Sequence, residues 1–280
     1  MTQTALRDEP RTQAPPERRV ATVSGVEQLG AYRLITALDA SGPADPRPGQ
    51  FYMLATEEGW GGAADERPYL PRAFSYARAR PTAGGVELDF LLESVGPGTA
   101  RLAALEPGEG LALVGPLGVG FRPPPAGARP VLTGGGIGVA PLLCLEHALT
   151  EPSTLLLGFR TAAHAQAAAL FAGEPALATD DGSVGRRGLV TELVRERLAA
   201  GPHAAVYACG PPAMLESVRA LCVERGVPGQ LALESGMACG FGACFGCVVL
   251  TTDGYVRLCL DGPVLDAHRL DAAWIEGAAH

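Results

Sequence analysis

The sequence predicts three units in succession: a small antiparallel β-barrel, a parallel α/β sheet covered by helices, and a small cysteine-bearing module. Three observations lead there. Short apolar runs broken by Gly/Pro turns fill the first part of the chain, strand-like and helix-like runs alternate through the middle, and four cysteines crowd the end. Short strands joined by turns build antiparallel barrels, and strands alternating with helices build a helix-covered parallel sheet. The expected boundaries are a disordered tail over 1–19, the barrel over 20–125, the α/β unit over 126–229, the cysteine module over 230–270 and a tail over 271–280.

Each element has a local signal. Met1–Arg19 is polar and proline-rich, without the apolar centre of a signal peptide, and reads as a tail. Barrel strands are expected at Ala21–Val23, Tyr32–Leu38, Gln50–Ala55, Ala73–Ala77, Val86–Leu92 and Gly110–Val114. Glycines and prolines make Glu57–Pro71 a loop, and Thr99–Leu105 a short helix. Pro123-Pro124-Pro125-Ala126-Gly127 is a linker. Beyond it come strand Pro130–Thr133 with helix Val139–Leu149, strand Thr154–Phe159 with helix Ala165–Phe171, strand Pro175–Ala178 with helix Leu189–Ala199, and strand Ala204–Cys209 with helix Pro212–Arg225. The module holds a turn, Thr252-Asp253-Gly254, and a strand, Tyr255–Cys259.

Composition narrows the classes of partner. At 280 residues with a formal charge of −8, the chain is long enough for two domains and has no basic patch suited to nucleic acid. No run of about eighteen apolar residues suggests a membrane span. Of seven cysteines, Cys144, Cys209 and Cys222 stand outside the terminal cluster; with no secretory signal they read as reduced thiols of a cytoplasmic protein.

Cys239, Cys244, Cys247 and Cys259 are spaced C-x4-C-x2-C-x11-C. The first three match the plant-type [2Fe-2S] run, and a distant fourth thiolate completes the two irons. Gly240, Gly242 and Gly246 let the loop wrap closely around a cluster. A zinc site would more often show two CxxC or Cys/His pairs, and only Cys244–Cys247 is a CxxC. A disulfide pair would need an oxidising compartment.

Other motifs suit phosphates. Gly134, Gly135, Gly136, Ile137 and Gly138 follow the first strand of the parallel sheet, where missing Cβ atoms and a helix N-terminus favour a pyrophosphate; a tight strand–helix connection is the plainer account. Cys209, Gly210 and Pro211 end the last expected strand, near where such sheets bind ligands. Asp181 sits in Asp180-Asp181-Gly182-Ser183, otherwise an Asx turn. In the barrel, Arg72-Ala73-Phe74-Ser75 offers a guanidinium for phosphate and a hydroxyl, and Gly98 and Thr99 open a helix. A nicotinamide carries two electrons and a [2Fe-2S] cluster one, so a flavin is the expected intermediary.

In this order the RxxS, glycine-rich and CGP segments resemble the ferredoxin-reductase family of flavoproteins. The run Glu234-Ser235-Gly236-Met237-Ala238-Cys239-Gly240-Phe241-Gly242-Ala243-Cys244-Phe245-Gly246-Cys247 resembles, more narrowly, the electron-transfer subunits of class 1B dihydroorotate dehydrogenases. So do Cys259-Leu260-Asp261-Gly262-Pro263-Val264 and Gly115-Pro116-Leu117-Gly118, and the likeness covers about Val20 to Leu270. It implies an FAD-binding barrel, with Arg72 on the pyrophosphate, Ala73 and Phe74 between it and Ser75, and Ser75 near the isoalloxazine. Leu91, Leu92 and Glu93 would line the flavin by backbone, and Gly98 and Thr99 would take phosphate. Residues 134–138, Asp181 and 209–211 would hold NAD, and the four cysteines the cluster. It implies a heterotetramer, two copies of each chain, with an FMN-containing dihydroorotate-oxidising subunit in pyrimidine biosynthesis. Electrons would pass from that subunit through [2Fe-2S] and FAD to NAD+, with no catalytic acid or base named here. Two departures stand out: Ala73 where the family often has Pro, and Gly236 where Arg is usual.

Alternatives remain at this stage. Related subunits serve sulfide dehydrogenases, hydrogenases and transhydrogenases, and a non-enzymatic iron–sulfur redox sensor would dispense with the flavin and nucleotide motifs. Arg160, after the second parallel strand, is placed to meet a 2′-phosphate, while the resemblance favours NAD.

Overall fold

Alternation of apolar and polar residues lays down the first sheet. In β1 (Arg18–Leu29), Arg19, Ala21 and Val23 point inward and Arg18, Val20 and Thr22 outward, the period of two that buries one face. The computed structural model describes residue 11 and residues 17–61, 70–201, 203–271 and 274. Most of the expected tails (1–19 and 271–280) and the 62–69 part of the expected loop lie outside the described residues. β1 begins inside the expected tail because Arg19 is anchored: its guanidinium bonds Asp39 at 2.8 Å and the Gly115 carbonyl at 2.6 Å.

β2 (Tyr32–Asp39), β3 (Phe51–Thr56), β4 (Arg72–Ser75), β5 (Arg78–Thr82), β6 (Gly85–Leu92) and β7 (Gly110–Leu117) complete a seven-stranded antiparallel half-barrel, ordered β4-β3-β7-β1-β2-β6-β5. The strand absent from the sequence expectation is β5. It lacks an apolar run and is held by ion pairing: Arg80 reaches both oxygens of buried Asp89 on β6, at 2.6 and 2.7 Å. Helix α1 (Pro97–Ala103) follows β6.

The second sheet is made by β8 (Arg129–Gly135), β9 (Thr154–Phe159), β10 (Ala176–Thr179), β11 (Arg186–Arg187), β12 (Ala204–Cys209), β13 (Gly229–Ala232) and β16 (Val264–Asp266). Its order is β11-β10-β9-β8-β12-β13-β16, parallel throughout except that β16 runs against β13. Helices α2 (Val139–Ala148), α4 (Val190–Ala199) and α5 (Pro212–Arg225) cover it. The helix expected at Ala165–Phe171 is instead a single turn, α3 (Ala162–Ala165), followed by 3-10 winding over Gln166–Leu170. The Ala163 carbonyl, which a continuing α-helix would use, accepts the Ala31 N–H of the barrel at 3.1 Å.

Residues 233–263 leave the sheet after β13 and re-enter it at β16. They form a hairpin, β14 (Val248–Thr251) and β15 (Gly254–Arg257), and a one-turn helix, α6 (Leu258–Asp261). The expected strand Tyr255–Cys259 therefore ends early, and Cys259 lies in α6. Asp261 causes the change by accepting the Arg257 N–H at 2.9 Å, which caps the turn.

The parts are fused by shared cores. Tyr32 and Phe121 from the barrel side pack with Leu132, Val139, Leu142 and Leu155 on one face of the parallel sheet. On the other face, Val131, Val206, Leu215 and Val218 pack with Cys247, Cys259 and Trp274. Among the described residues no helix is long and apolar enough to cross a membrane.

Candidate functional site

A cleft of roughly 600 Å3 opens where all three parts meet. Phe51, Arg72, Ala73, Phe74, Ser75 and Leu91 come from the half-barrel; Ile137, Ala140 and Pro141 from the glycine-rich turn and α2; Leu233 to Ala238, Gly246 and Pro263 from the cysteine segment. The volume and mixed lining suit a cofactor. The Ser235 hydroxyl in this wall is buried without a partner, which is what a site shaped for a polar ligand leaves behind.

At the outer end, Arg72 and Gly98 meet. A Cβ on Gly98 would fall 2.8 Å from the guanidinium, so glycine lets that side chain lie against the start of α1. Arg72 also stands over the Trp60 ring, 5.9 Å from its centroid, and bonds the Leu70 carbonyl. The Thr99 hydroxyl is occupied locally, accepting the Val95 and Gly96 N–H groups at 2.9 and 3.0 Å. Leu92 is buried beside Leu91. Of Leu91, Leu92 and Glu93 the cleft is lined by Leu91; the Glu93 carboxylate is bonded to Arg160 and lies 3.4 Å from His164 Nε2.

The glycines after β8 serve separate purposes. A Cβ on Gly134 would press on Val139 and Leu142, one on Gly135 on Met214 and Pro211, and one on Gly138 would lie 2.6 Å from the Cys209–Gly210 backbone. Their absence lets the turn nest against Cys209, Gly210 and Pro211. Only Gly136, at φ +56°, faces open space, with the Tyr32 hydroxyl its nearest neighbour at 3.8 Å. Cys209 is buried, and burial, with Glu234 adding to it, pushes its thiol well above the usual value. Asp181 stands apart at the end of β10, where its carboxylate accepts the Ser183 N–H at 2.9 Å in an Asx turn. Hydrogen bonds from Ser183 hold its pKa below the usual range.

The four cysteines lie close enough to influence one another: Cys244 acts on Cys239, and both Cys247 and Cys239 act on Cys259. Among the described residues no three His, Cys, Asp or Glu side chains converge on one metal position. Backbone N–H groups point at the sulfurs, from Ala243 to Cys239 at 3.3 Å, Gly246 to Cys244 at 3.5 Å and Cys259 to Cys247 at 3.4 Å. Burial raises the Cys239 thiol, but the bonds from Cys244, Phe241 and Ala243 outweigh it and leave the pKa lowered to about 7. Burial and the Cys247 contact push Cys259 up to about 12. Cys244 is exposed, between Phe241 and Phe245 at the surface.

Two contacts fix the loop beside the cleft. A Cβ on Gly240, at φ +80°, would lie 2.5 Å from Met53 and 3.1 Å from Leu117, so this turn seats directly on the half-barrel. Arg257 donates to the Gly242 carbonyl at 2.8 Å and lies 4.8 Å from the centroid of Phe245, a non-glycine residue at φ +60°. Sequence reasoning had not assigned Glu234, Arg257, Phe51 or Tyr32 to the site. Glu234 had one available signal, a carboxylate ending the apolar run Leu231-Ala232-Leu233. It lines the cleft with its side chain exposed to it, and the partial desolvation of that wall raises its pKa.

Known proteins resemble this chain in sequence and in fold. A family profile described as the iron-sulfur cluster binding domain of dihydroorotate dehydrogenase B matches residues 234–271. The chain is 39% identical over 231 residues to the dihydroorotate dehydrogenase B (NAD(+)) electron transfer subunit of Bacillus caldolyticus, covering 79% of this chain and 85% of that one. It is 40% identical over 230 residues to that of Geobacillus thermodenitrificans, with the same coverage. Among solved structures, it resembles one described as an NADH-dependent reduced ferredoxin-NADP oxidoreductase, with TM-score 0.74, 24% identity and coverage of 91% and 90%. It also resembles the ferredoxin reductase of carbazole 1,9a-dioxygenase, with TM-score 0.64, 25% identity and coverage of 77% and 68%. At these identities the structures speak to the fold.

Proposed function

The chain belongs to the family of electron-transfer subunits of NAD+-dependent dihydroorotate dehydrogenase B, and from that premise we propose how its residues connect a catalytic partner to NAD+. The observation that carries the proposal is the cleft whose walls come at once from the RxxS strand, the glycine-rich turn and the residues leading into Cys239. An FAD bound there supplies the exchange between single electrons and a hydride. Arg72, against Gly98, holds its pyrophosphate by charge and by a planar donor fork. Ser75 offers a hydroxyl, and Phe51 and Leu91 form apolar walls that exclude water.

Cys239, Cys244, Cys247 and Cys259 would hold a [2Fe-2S] cluster, and Gly240 seats that loop on Met53 and Leu117 beside the cleft. Residues 134–138 with Cys209, Gly210 and Pro211 would hold the nicotinamide nucleotide, Gly136 being the glycine among 134–138 that faces open space. Asp181, committed to its turn, contributes negative charge near the adenosine end. In this scheme residues 20–125 bind flavin, 126–229 nucleotide and 230–270 the cluster.

The partner is an FMN-containing subunit that oxidises dihydroorotate, with two copies of each chain in the complex. Exposed Cys244 marks the face at which a cluster held by the four cysteines would receive electrons from the partner. The protein works in the cytoplasm, where a reducing environment suits its thiolates. Co-expression and co-purification with that subunit test the proposal: the complex should contain FAD, FMN, iron and acid-labile sulfide, and reduce NAD+ with dihydroorotate. A purified chain with iron and FAD that fails to oxidise NADH with an artificial acceptor would refute it.

A further inference from the structure

In dinucleotide-binding sheets the side chain about twenty residues beyond the glycine-rich turn, after the second strand, meets the adenosine ribose. A carboxylate there bonds the free 2′-hydroxyl of NAD, while an arginine accommodates the 2′-phosphate of NADP. This chain has Arg160 in that place, yet its relatives are named for NAD(+). The structure offers a resolution. The guanidinium of Arg160 is 62% exposed, yet it is paired: its Nη2 bonds Glu93 Oε1, a carboxylate from the end of β6 in the half-barrel. His164 closes the group, with Nε2 3.0 Å from Arg160 Nη2 and 3.4 Å from the same Glu93 oxygen. The Asp181 N–H bonds the Arg160 carbonyl at 3.4 Å and the Asp180 N–H bonds the Phe159 carbonyl at 3.0 Å, so the turn after β10 runs alongside this corner.

We propose that Glu93 sets the dinucleotide specificity, by pairing with Arg160 so that its guanidinium is withheld from a 2′-phosphate. The inference rests on placing the nucleotide over the carboxyl ends of β8, β9 and β10. A 2′-phosphate would have to break the Glu93–Arg160 pair and settle beside an uncompensated carboxylate, whereas a 2′-hydroxyl meets neither penalty. Specificity of this kind comes from a repulsive element as much as from an attractive one.

The test uses the purified holoprotein with FAD and cluster. The kcat/KM for NADH and NADPH is measured with a one-electron artificial acceptor, and the Kd of NAD+, NADP+ and 2′,5′-ADP by direct titration. In Glu93→Gln, which keeps shape and backbone, the NADPH/NADH ratio and the affinity for 2′,5′-ADP should rise about three- to fivefold, the scale of one largely exposed ion pair. In Glu93→Gln/Arg160→Ala the gain should vanish. Arg160→Ala alone should change 2′,5′-ADP affinity by less than about twofold, because the wild-type guanidinium is already engaged. An unchanged ratio in Glu93→Gln would overturn the proposal, as would a gain that survives in the double variant and so belongs to another cation such as Arg187. Should Glu93→Gln not fold, a loss of 2′,5′-ADP affinity of about threefold or more in Arg160→Ala would overturn it alone. A wild type that neither oxidises NADH nor binds NAD+ would instead remove the nucleotide assignment beneath it, a separate failure.

Discussion

Glu234 shows how much a single side chain's setting depends on tertiary packing. On paper it is a carboxylate closing an apolar strand; in the fold it stands inside the cleft, beside Cys209 and one residue from the unpartnered Ser235 hydroxyl. Desolvation raises its pKa above the ordinary 4.5. The sign of the linkage follows. Glu234 is exposed within the cleft, so the effect is a modest one. Below 4.5 the group is protonated in both folded and unfolded chains, and as pH climbs through the raised folded value the native state either keeps a proton the unfolded chain has lost or carries a partly desolvated charge. Stability therefore falls with rising pH across that window and levels off above it. Replacing Glu234 by Gln should remove this slope, so that the thermal midpoints of the two proteins converge at about pH 4 and separate toward pH 8, the variant being the more stable. Parallel curves would show that the carboxyl titrates as an ordinary exposed group.

At the scale of elements, the decisive contact joins two turns at the carboxyl ends of neighbouring strands. β8 and β12 pair in parallel register, with Gly134 beside Cys209, so the turns that follow them must share one small space. Gly138 makes this possible, since a Cβ would lie 2.6 Å from three backbone atoms of the opposing turn, none of which is a flexible chain end. Gly138→Ala should destabilise the protein by about 1–3 kcal/mol through overpacking and raise the KM for NADH, with FAD content retained. Gly136→Ala is the informative comparison. There the surrounding space is open and only the positive φ opposes the substitution, at a cost of about 1–2 kcal/mol. Denaturation midpoints and NADH kinetics on both variants separate steric nesting from backbone strain; equal behaviour at the two positions would contradict this account.

Across the whole molecule, the cysteine segment works as an insert between β13 and β16 rather than as an appendage. Both its ends are pinned in the nucleotide-binding sheet, Gly240 rests on the half-barrel, and Cys247 and Cys259 belong to the core packed under α5. Loss of one ligand should therefore uncouple the electron path without dissolving the fold. In Cys259→Ala, iron and acid-labile sulfide should fall to near background while FAD stays bound. NADH oxidation with an artificial acceptor that takes electrons from the flavin should persist, and dihydroorotate-dependent reduction of NAD+ in the complex should be lost. Coupled turnover in a variant lacking iron would show that electrons bypass the four cysteines.

The order of the parts, most strand and helix positions and the cysteine spacing were legible in the residues alone, because period-two burial, glycine and proline punctuation and short motifs are local properties. Other features were not local. Strand β5 has no apolar run and exists because Arg80 finds Asp89 on β6. The helix expected at Ala165–Phe171 is cut short because Ala31 of the barrel takes the Ala163 carbonyl. The motifs Gly115–Gly118 and Cys259–Val264 lie far apart in the chain, yet the Val119 N–H bonds the Gly262 carbonyl and Gly118 leaves room for it. Residue types and their spacing state which chemistry a chain can support. Which groups face one cleft, which glycine opens toward a ligand and which carboxylate neutralises Arg160 depend on contacts between distant segments, and those appear only once the sheets have closed on one another.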